Sequence, residues 1–184
     1  YSESKRSGRR ALAKNQTLAH LLFHRILQAA DDSPDLSAVL RAGLPFGFGL
    51  SGSRWRLEGV NPVLRMSQYH TGQFFAPHTD SQYCPSPHRR SVFTLLIYLD
   101  PDPAGDTLFH GPHGSVGDPL TVSTKLGRAV IFPHHVVHEG LPVAQRKSVL
   151  RTDLIYVCDA APVPLHRWPP TEQAGFRAAL GLFR

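Results

Sequence analysis

The sequence predicts a mainly β protein, a jelly roll with supporting helices at its N-terminal end. The first 45 residues read as helical. From there to residue 157, short apolar or alternating runs are separated by Gly, Pro, Asp and Ser. About eight such runs, flanked by helices, fit a jelly roll closed on itself. A chain of 184 residues is long enough for one domain with a full hydrophobic core. Its parts are a basic segment with support helices over 1–45, a β core over 62–157 and a C-terminal segment over 158–184.

"TLAHLLFHRILQAA" spaces Leu18, Leu21, Leu22 and Ile26 as one helical face, with Asn15 or Thr17 available as cap. "SPDLSAVLRAG" offers Ser33 as cap, Pro34 in the first turn, a Leu36/Val39/Leu40 stripe and Gly43 as terminator. "GLPFGFGLSGS" then reads as a turn-rich linker. Strands are expected near 62–69, 74–78, 92–99, 107–110, 120–123, 129–132, 135–139 and 147–157. "TEQAGFRAALGL" predicts a short helix near 171–182 that packs back on the sheet.

Charge excludes less than its sum suggests. Of the net +6, residues 1–14 carry +4, with Lys5, Arg6, Arg9, Arg10 and Lys14 set against Glu3. The remaining +2 is ordinary. A solvated basic terminus is the simple reading, and a contact with an acidic partner the alternative. No interleaving of aromatic and basic residues supports a platform for single-stranded nucleic acid. No apolar run is long enough to span a membrane. Cys84 and Cys158 form neither a disulfide framework nor a zinc cluster, and Cys158 in "LIYVCD" reads as a small buried residue. This favours a reducing, intracellular compartment, cytoplasm or nucleus. The chain opens at Tyr1, not Met, which reads as a processed or trimmed form.

The chemistry concentrates around "APHTDSQY". His78 and Asp80 are two apart, so on a strand they share a face. Such a pair can be a buried hydrogen bond, half of an acid–base unit or two metal ligands. A third ligand must come from the other ten of the 11 histidines. His134, His135 and His138 cluster in "FPHHVVHEG", where Pro133 and Val136–Val137 argue against a helical metal pair. His138 lies between two apolar runs, "KLGRAVIFP" and "SVLRTDLIYV", and strands there could bring it opposite the "HTD" run. Two His and one carboxylate on one face of a metal form the facial triad of non-haem iron oxygenases. Zinc fits such a set less well.

Across residues 62–157 the sequence resembles the Fe(II)- and 2-oxoglutarate-dependent oxygenases, in their prolyl-hydroxylase-like branch. The matching segments are "LRMSQYHTGQFFAPHTD", "FTLLIYLD", "GDTLF", "KLGRAVIFPHHVVHEGLPV" and "KSVLRTDLIYV", in family order and with family-like spacing. The resemblance implies a double-stranded β-helix with His78, Asp80 and His138 as iron ligands. It places Lys147 as the cation for the distal carboxylate of 2-oxoglutarate, Tyr98 as a donor to the same carboxylate and Tyr69 in the wall of that pocket. Thr94 shares a face with Tyr98 and is expected to point inward.

Relatives with "HEG" usually carry a Gly just before the basic residue and one more residue in the turn, whereas this turn reads "PVAQRK". Arg146 and Lys147 are therefore rivals, and strand parity favours Lys147, which shares a face with Val149, Arg151 and Asp153. Arg151 is then expected to contact cosubstrate or substrate, or to pair with Asp153. The implied activity is hydroxylation of a substrate C–H bond with Fe(II), 2-oxoglutarate and O2, releasing succinate and CO2, with L-ascorbate as accessory reductant. The implied partner is a protein, peptide or small-molecule substrate, possibilities that resemblance of fold leaves open. The competing class is a non-catalytic jelly-roll module that docks an acidic partner through its basic N-terminus.

Overall fold

The computed structural model describes residues 7–45, 54–100, 105–110, 119–159, 167 and 170. The segment expected to form a C-terminal helix and most of the linker after Gly43 lie outside the described residues. Helix α1 (Gln16–Asp31) is capped by the Asn15 side chain, which accepts from the Leu18 amide at 2.9 Å. Helix α2 (Pro34–Arg41) is capped by Ser33 on Leu36 at 3.3 Å, with Pro34 opening its first turn. Among the described residues no helix is long and apolar enough to cross a membrane.

Two sheets carry the rest. The larger one orders β1 (Arg9–Lys14), β3 (Val63–His70), β10 (Arg146–Cys158), β5 (Arg89–Tyr98) and β8 (Ala129–Pro133), with β2 (Trp55–Val60) also on β10. The smaller orders β4 (Phe75–His78), β9 (His138–Gly140), β6 (Thr107–Phe109) and β7 (Leu120–Val122). All pairings are antiparallel, and the architecture is the expected mainly β jelly roll, a double-stranded β-helix with N-terminal helices.

Two strands were not expected. β1 lies where helix was read; "RRALAK" has no apolar helical stripe, and its backbone pairs instead with β3, Arg9 opposite Gln68 and Lys14 opposite Val63. β2 alternates buried Trp55, exposed Arg56 and Glu58, and buried Val60, a pattern obscured by Gly59. β9 begins at His138, later than the 135–139 run suggested, because 134–137 form a turn in which Val136 N bonds Pro133 O at 3.1 Å.

The long strand β10 organises the core. One edge pairs with β5; the other takes β3 beside residues 146–151 and β2 beside residues 154–158. Buried Asn61 splints the junction between β2 and β3: its amide donates to Asp153 O at 2.8 Å and its carbonyl accepts from the Thr152 hydroxyl at 2.7 Å. One face of β10 sends Leu154, Tyr156 and Cys158 into an apolar layer with Ala19, Ile26 and Leu40 of the helices. Complete burial of an aliphatic or aromatic side chain of this size contributes about 1.5–3 kcal/mol. The Tyr156 hydroxyl donates to Leu40 O at 2.7 Å, tying α2 to the sheet. Gly43 was read as a helix terminator, but the cap of α2 is Ala42; a Cβ at Gly43 would meet the Tyr156 ring at 2.5 Å. Cys158 is buried and Cys84 exposed, and the two are not joined in a disulfide.

Candidate metal and cosubstrate site

The opposite face of β10 looks between the sheets. There β4 and β9 run antiparallel with His78 directly opposite His138, so two ring side chains emerge side by side, their centroids 4.3 Å apart. Phe75 stacks on His78 at 3.6 Å between centroids, and Phe132 meets the His138 ring edge-on at 4.6 Å. These rings fix the imidazole planes. Each Nδ1 faces a backbone carbonyl two residues back, Ala76 O at 2.9 Å for His78 and Val136 O at 3.0 Å for His138. A carbonyl only accepts, so Nδ1 carries the proton and Nε2 keeps its lone pair. Burial and the neighbouring His138 lower the His78 pKa to about 4, and burial lowers that of His138. Both rings are therefore neutral near pH 7, the state a metal requires.

Asp80 lies beyond the end of β4, so the strand pleat does not place it. Its amide donates to His134 O at 2.8 Å, which swings the carboxylate back toward the histidines. Asp80 Oδ2 is then 3.8 Å from His138 Nε2. One ligand atom from each of His78, Asp80 and His138 lies within 4.8 Å of the others, a cluster with room for one ion. The Thr94 hydroxyl donates to Asp80 Oδ2 at 2.6 Å, and Arg151 Nη2 forms an ion pair with Oδ1 at 2.9 Å.

A cavity opens beside this cluster, with His78, His138, Tyr69, Lys147 and Arg151 in its wall. Lys147 is 4 % exposed, donates to Gly105 O and lies 5.2 Å from the centroid of the Tyr98 ring. Its chain neighbour Arg146 points to solvent, its side chain 61 % exposed and paired with Asp100 at 3.2 Å. The parity of β10 thus separates the two rivals. Arg151 Nε is buried with no hydrogen-bond partner among the described residues.

The remaining expected residues fall one layer back. The Tyr98 hydroxyl donates to Thr107 Oγ1 at 2.7 Å, and Thr107, not Tyr98, lines the cavity. Thr94 points inward but toward Asp80 and His134, and it does not line the cavity. Asp153 takes Arg65 at 3.0 Å and Asn61 at 3.1 Å, with Arg151 farther off at 3.5 Å. Sequence reasoning missed Ser67, Leu96 and Thr107 in the wall. Parity with Tyr69 and with Tyr98 would have found the first two.

A jelly roll that gathers two neutral histidines, a carboxylate and a buried lysine around one cavity is the architecture of a metal-dependent oxygenase. Residues 64–152 match the 2OG-Fe(II) oxygenase superfamily, a span that includes His78, Asp80, His138, Lys147 and Arg151. Over that span the chain is similar to that superfamily, whose chemistry uses Fe(II), 2-oxoglutarate and O2. Among solved structures, the chain is similar to a prolyl-4-hydroxylase of Pseudomonas putida, with 17 % identity, TM-score 0.51, and coverage of 83 % of this chain and 73 % of that one. It is also similar to a prolyl hydroxylase of Trichoplax adhaerens solved with a peptide fragment of the hypoxia inducible factor oxygen degradation domain. That likeness has 14 % identity and TM-score 0.53, covering 84 % of this chain and 65 % of the other. At these identities the likeness is one of fold. No curated protein sequence matches the chain.

Proposed function

We propose that the protein is a 2-oxoglutarate-dependent hydroxylase in which His78, Asp80 and His138 hold Fe(II) and Lys147 anchors the distal carboxylate of 2-oxoglutarate. The observation that carries this reading is the placement of Lys147 in the same cavity wall as the two histidines. The residues fit the groups they would hold. Both Nε2 lone pairs are free while both Nδ1 atoms are bonded, and a carboxylate completes a three-sided donor set. The orphaned Arg151 Nε and the Lys147 ammonium suit a ligand with two carboxylates. Tyr69 walls the pocket, and Tyr98 supports Lys147 from behind with its ring.

The bound iron would supply activation of O2 and the coupled oxidation of 2-oxoglutarate to succinate and CO2. The chain's own residues orient and exclude. Lys147 fixes one end of the cosubstrate by a charge-assisted bond in a pocket shielded by Leu96 and Val149. Arg151 holds Asp80 from the side away from Thr94, leaving the carboxylate little freedom to rotate. Phe75, Phe109 and Phe132 pack against the histidines and keep water from their outer faces.

For the substrate, the reading is a peptidyl prolyl or other protein side chain. The fold shared with the Trichoplax enzyme, solved with a peptide, supports it. Residues 81–88 leave the site directly after Asp80 without helix or strand, where an extended chain can be met. Ascorbate enters as an accessory reductant. The test is anaerobic titration with Fe(II) and then 2-oxoglutarate, followed by succinate release with and without proline-containing peptides and stimulation by ascorbate. Metal and cosubstrate binding with peptide-dependent succinate supports the proposal. Absence of both, with partner protection confined to residues 1–14, would support the docking-module reading instead.

A further inference from the structure

We infer that His134 is a positioning residue that links the loop after Asp80 to the Asp80 carboxylate through a chain of buried hydrogen bonds with only one direction. The inference rests on the reading of Asp80 as a metal ligand. A carboxylate only accepts, so the Thr94 hydroxyl, 2.6 Å from Asp80 Oδ2, spends its single hydrogen there. Thr94 Oγ1 is also 2.9 Å from His134 Nδ1, and having no second hydrogen it must accept, so Nδ1 bears the proton. In a neutral imidazole Nε2 then accepts, and the Ser91 hydroxyl at 2.8 Å must donate to it. Ser91 Oγ in turn accepts from the Tyr83 amide at 2.7 Å. Every hydrogen is assigned, from a loop amide to the carboxylate.

The chain is clamped at both ends. His134 O accepts the Asp80 amide at 2.8 Å, so this residue holds Asp80 by backbone as well as through Thr94. Tyr83 O accepts the Ser91 amide at 2.8 Å, so Ser91 holds Tyr83 in the same double manner. Ser91 and Thr94 are 0 % exposed and His134 is 7 % exposed, so water cannot replace a broken link cheaply. Residues 81–88 leave the site at Asp80 and return at β5, and Arg90 braces them by donating to Gln82 Oε1 at 3.2 Å and Pro87 O at 3.3 Å. The loop is thus a braced arm whose anchor reads the orientation of the carboxylate. Ordering Asp80 on a metal must order Tyr83, and by reciprocity a ligand that fixes the loop must favour the metal-binding orientation.

The test uses the whole chain and Mn(II) as probe, with no turnover required. Mn(II) affinity is measured together with hydrogen exchange at the Tyr83 amide, and Co(II) absorption reports coordination geometry. Wild-type protein should bind Mn(II) and slow Tyr83 exchange on doing so, and Asp80→Ala should abolish both. His134→Leu and the near-isosteric Thr94→Val should each weaken Mn(II) by about tenfold to a hundredfold, alter the Co(II) spectrum and uncouple Tyr83 from the metal. Thr94→Ser should restore all three, a rescue that also decides the case if His134→Leu fails to fold. Asp80→Ala that binds Mn(II) like wild type overturns the metal reading and this inference with it. Loss in Asp80→Ala but wild-type affinity, spectrum and Tyr83 protection in Thr94→Val overturns the inference alone.

Discussion

The two faces of β10 differ as oil differs from an ionic solution, although they alternate along one strand. Toward the helices, Leu154, Tyr156 and Cys158 lie in an apolar layer with few polar atoms, among them the Tyr156 hydroxyl bonded to Leu40 O. Toward the smaller sheet, Lys147 and Asp153 are equally hidden from water and Arg151 is half-buried, yet each is a charged side chain. The apolar face is held by area and tolerates exchange of one aliphatic group for another. The charged face is held by partners, and loss of one leaves another buried and uncompensated. Stability belongs mainly to the first face and chemistry to the second, and substitutions on either side should separate the two.

The largest expected effect lies on the charged face. Asp80→Ala or His138→Ala should abolish Fe(II) or Mn(II) binding in calorimetric titration while circular dichroism retains the β signal. His135→Ala, on an exposed turn residue, should keep it. If His135 proves essential and His138 dispensable, the pairing of β4 with β9 is misassigned. On the apolar face, Leu154→Ala should cost about 2–5 kcal/mol in denaturant unfolding, as for other fully buried leucines, and leave the metal affinity of the folded protein unchanged. A parallel loss of metal affinity would show that the faces are not independent.

Lys147→Ala should lose about 1.5–3 kcal/mol of 2-oxoglutarate binding, roughly ten- to a hundredfold in Kd. Arg151→Ala should fall between that and wild type and also loosen Asp80, its partner at 2.9 Å. Arg146→Ala, which breaks only an exposed pair with Asp100, should be nearly silent in the same titration.

Proton linkage gives a gentler test. His78 and His134 have folded-state pKa values lowered from 6.5 to about 4, chiefly by burial. Between those values the unfolded chain binds more protons than the folded one, so stability falls as pH drops from 6.5 toward 4. Metal binding to the folded protein should weaken only as pH approaches about 4, where protons compete for His78 Nε2. Urea midpoints of the metal-free protein at intervals across that range check the first statement. A flat profile would mean that neither ring is held neutral by its surroundings.

Much of the fold was legible because strand periodicity is strong wherever one face is buried, as in "SVFTLLIYLD" and "KSVLRTDLIYV". β1 was illegible for the opposite reason: all six of its residues are exposed, so only pairing with β3 makes it a strand. The spacing of His78 and Asp80 pointed to a shared site, but not to its cause, since the His134 carbonyl, not a pleat, seats Asp80. Thr94 points inward as expected, yet its hydroxyl is spent on Asp80. Parity gives the face of a side chain and cannot give the partner waiting there. His134 looked like a spare histidine because its role depends on Ser91 and Thr94, two side chains of β5.

The most direct measurement is an anaerobic titration of 2-oxoglutarate against Fe(II)-loaded wild-type, His138→Ala, Lys147→Ala and Arg146→Ala proteins. One cavity that joins the triad to a buried lysine predicts tight binding to wild type and to Arg146→Ala. It predicts a ten- to hundredfold loss for Lys147→Ala, from about 1.4 kcal/mol per factor of ten, and loss of both iron and metal-dependent cosubstrate binding for His138→Ala. Undiminished binding to Lys147→Ala with a large loss at Arg146→Ala would contradict it, because the cation facing the cavity would then lie on the other face of β10.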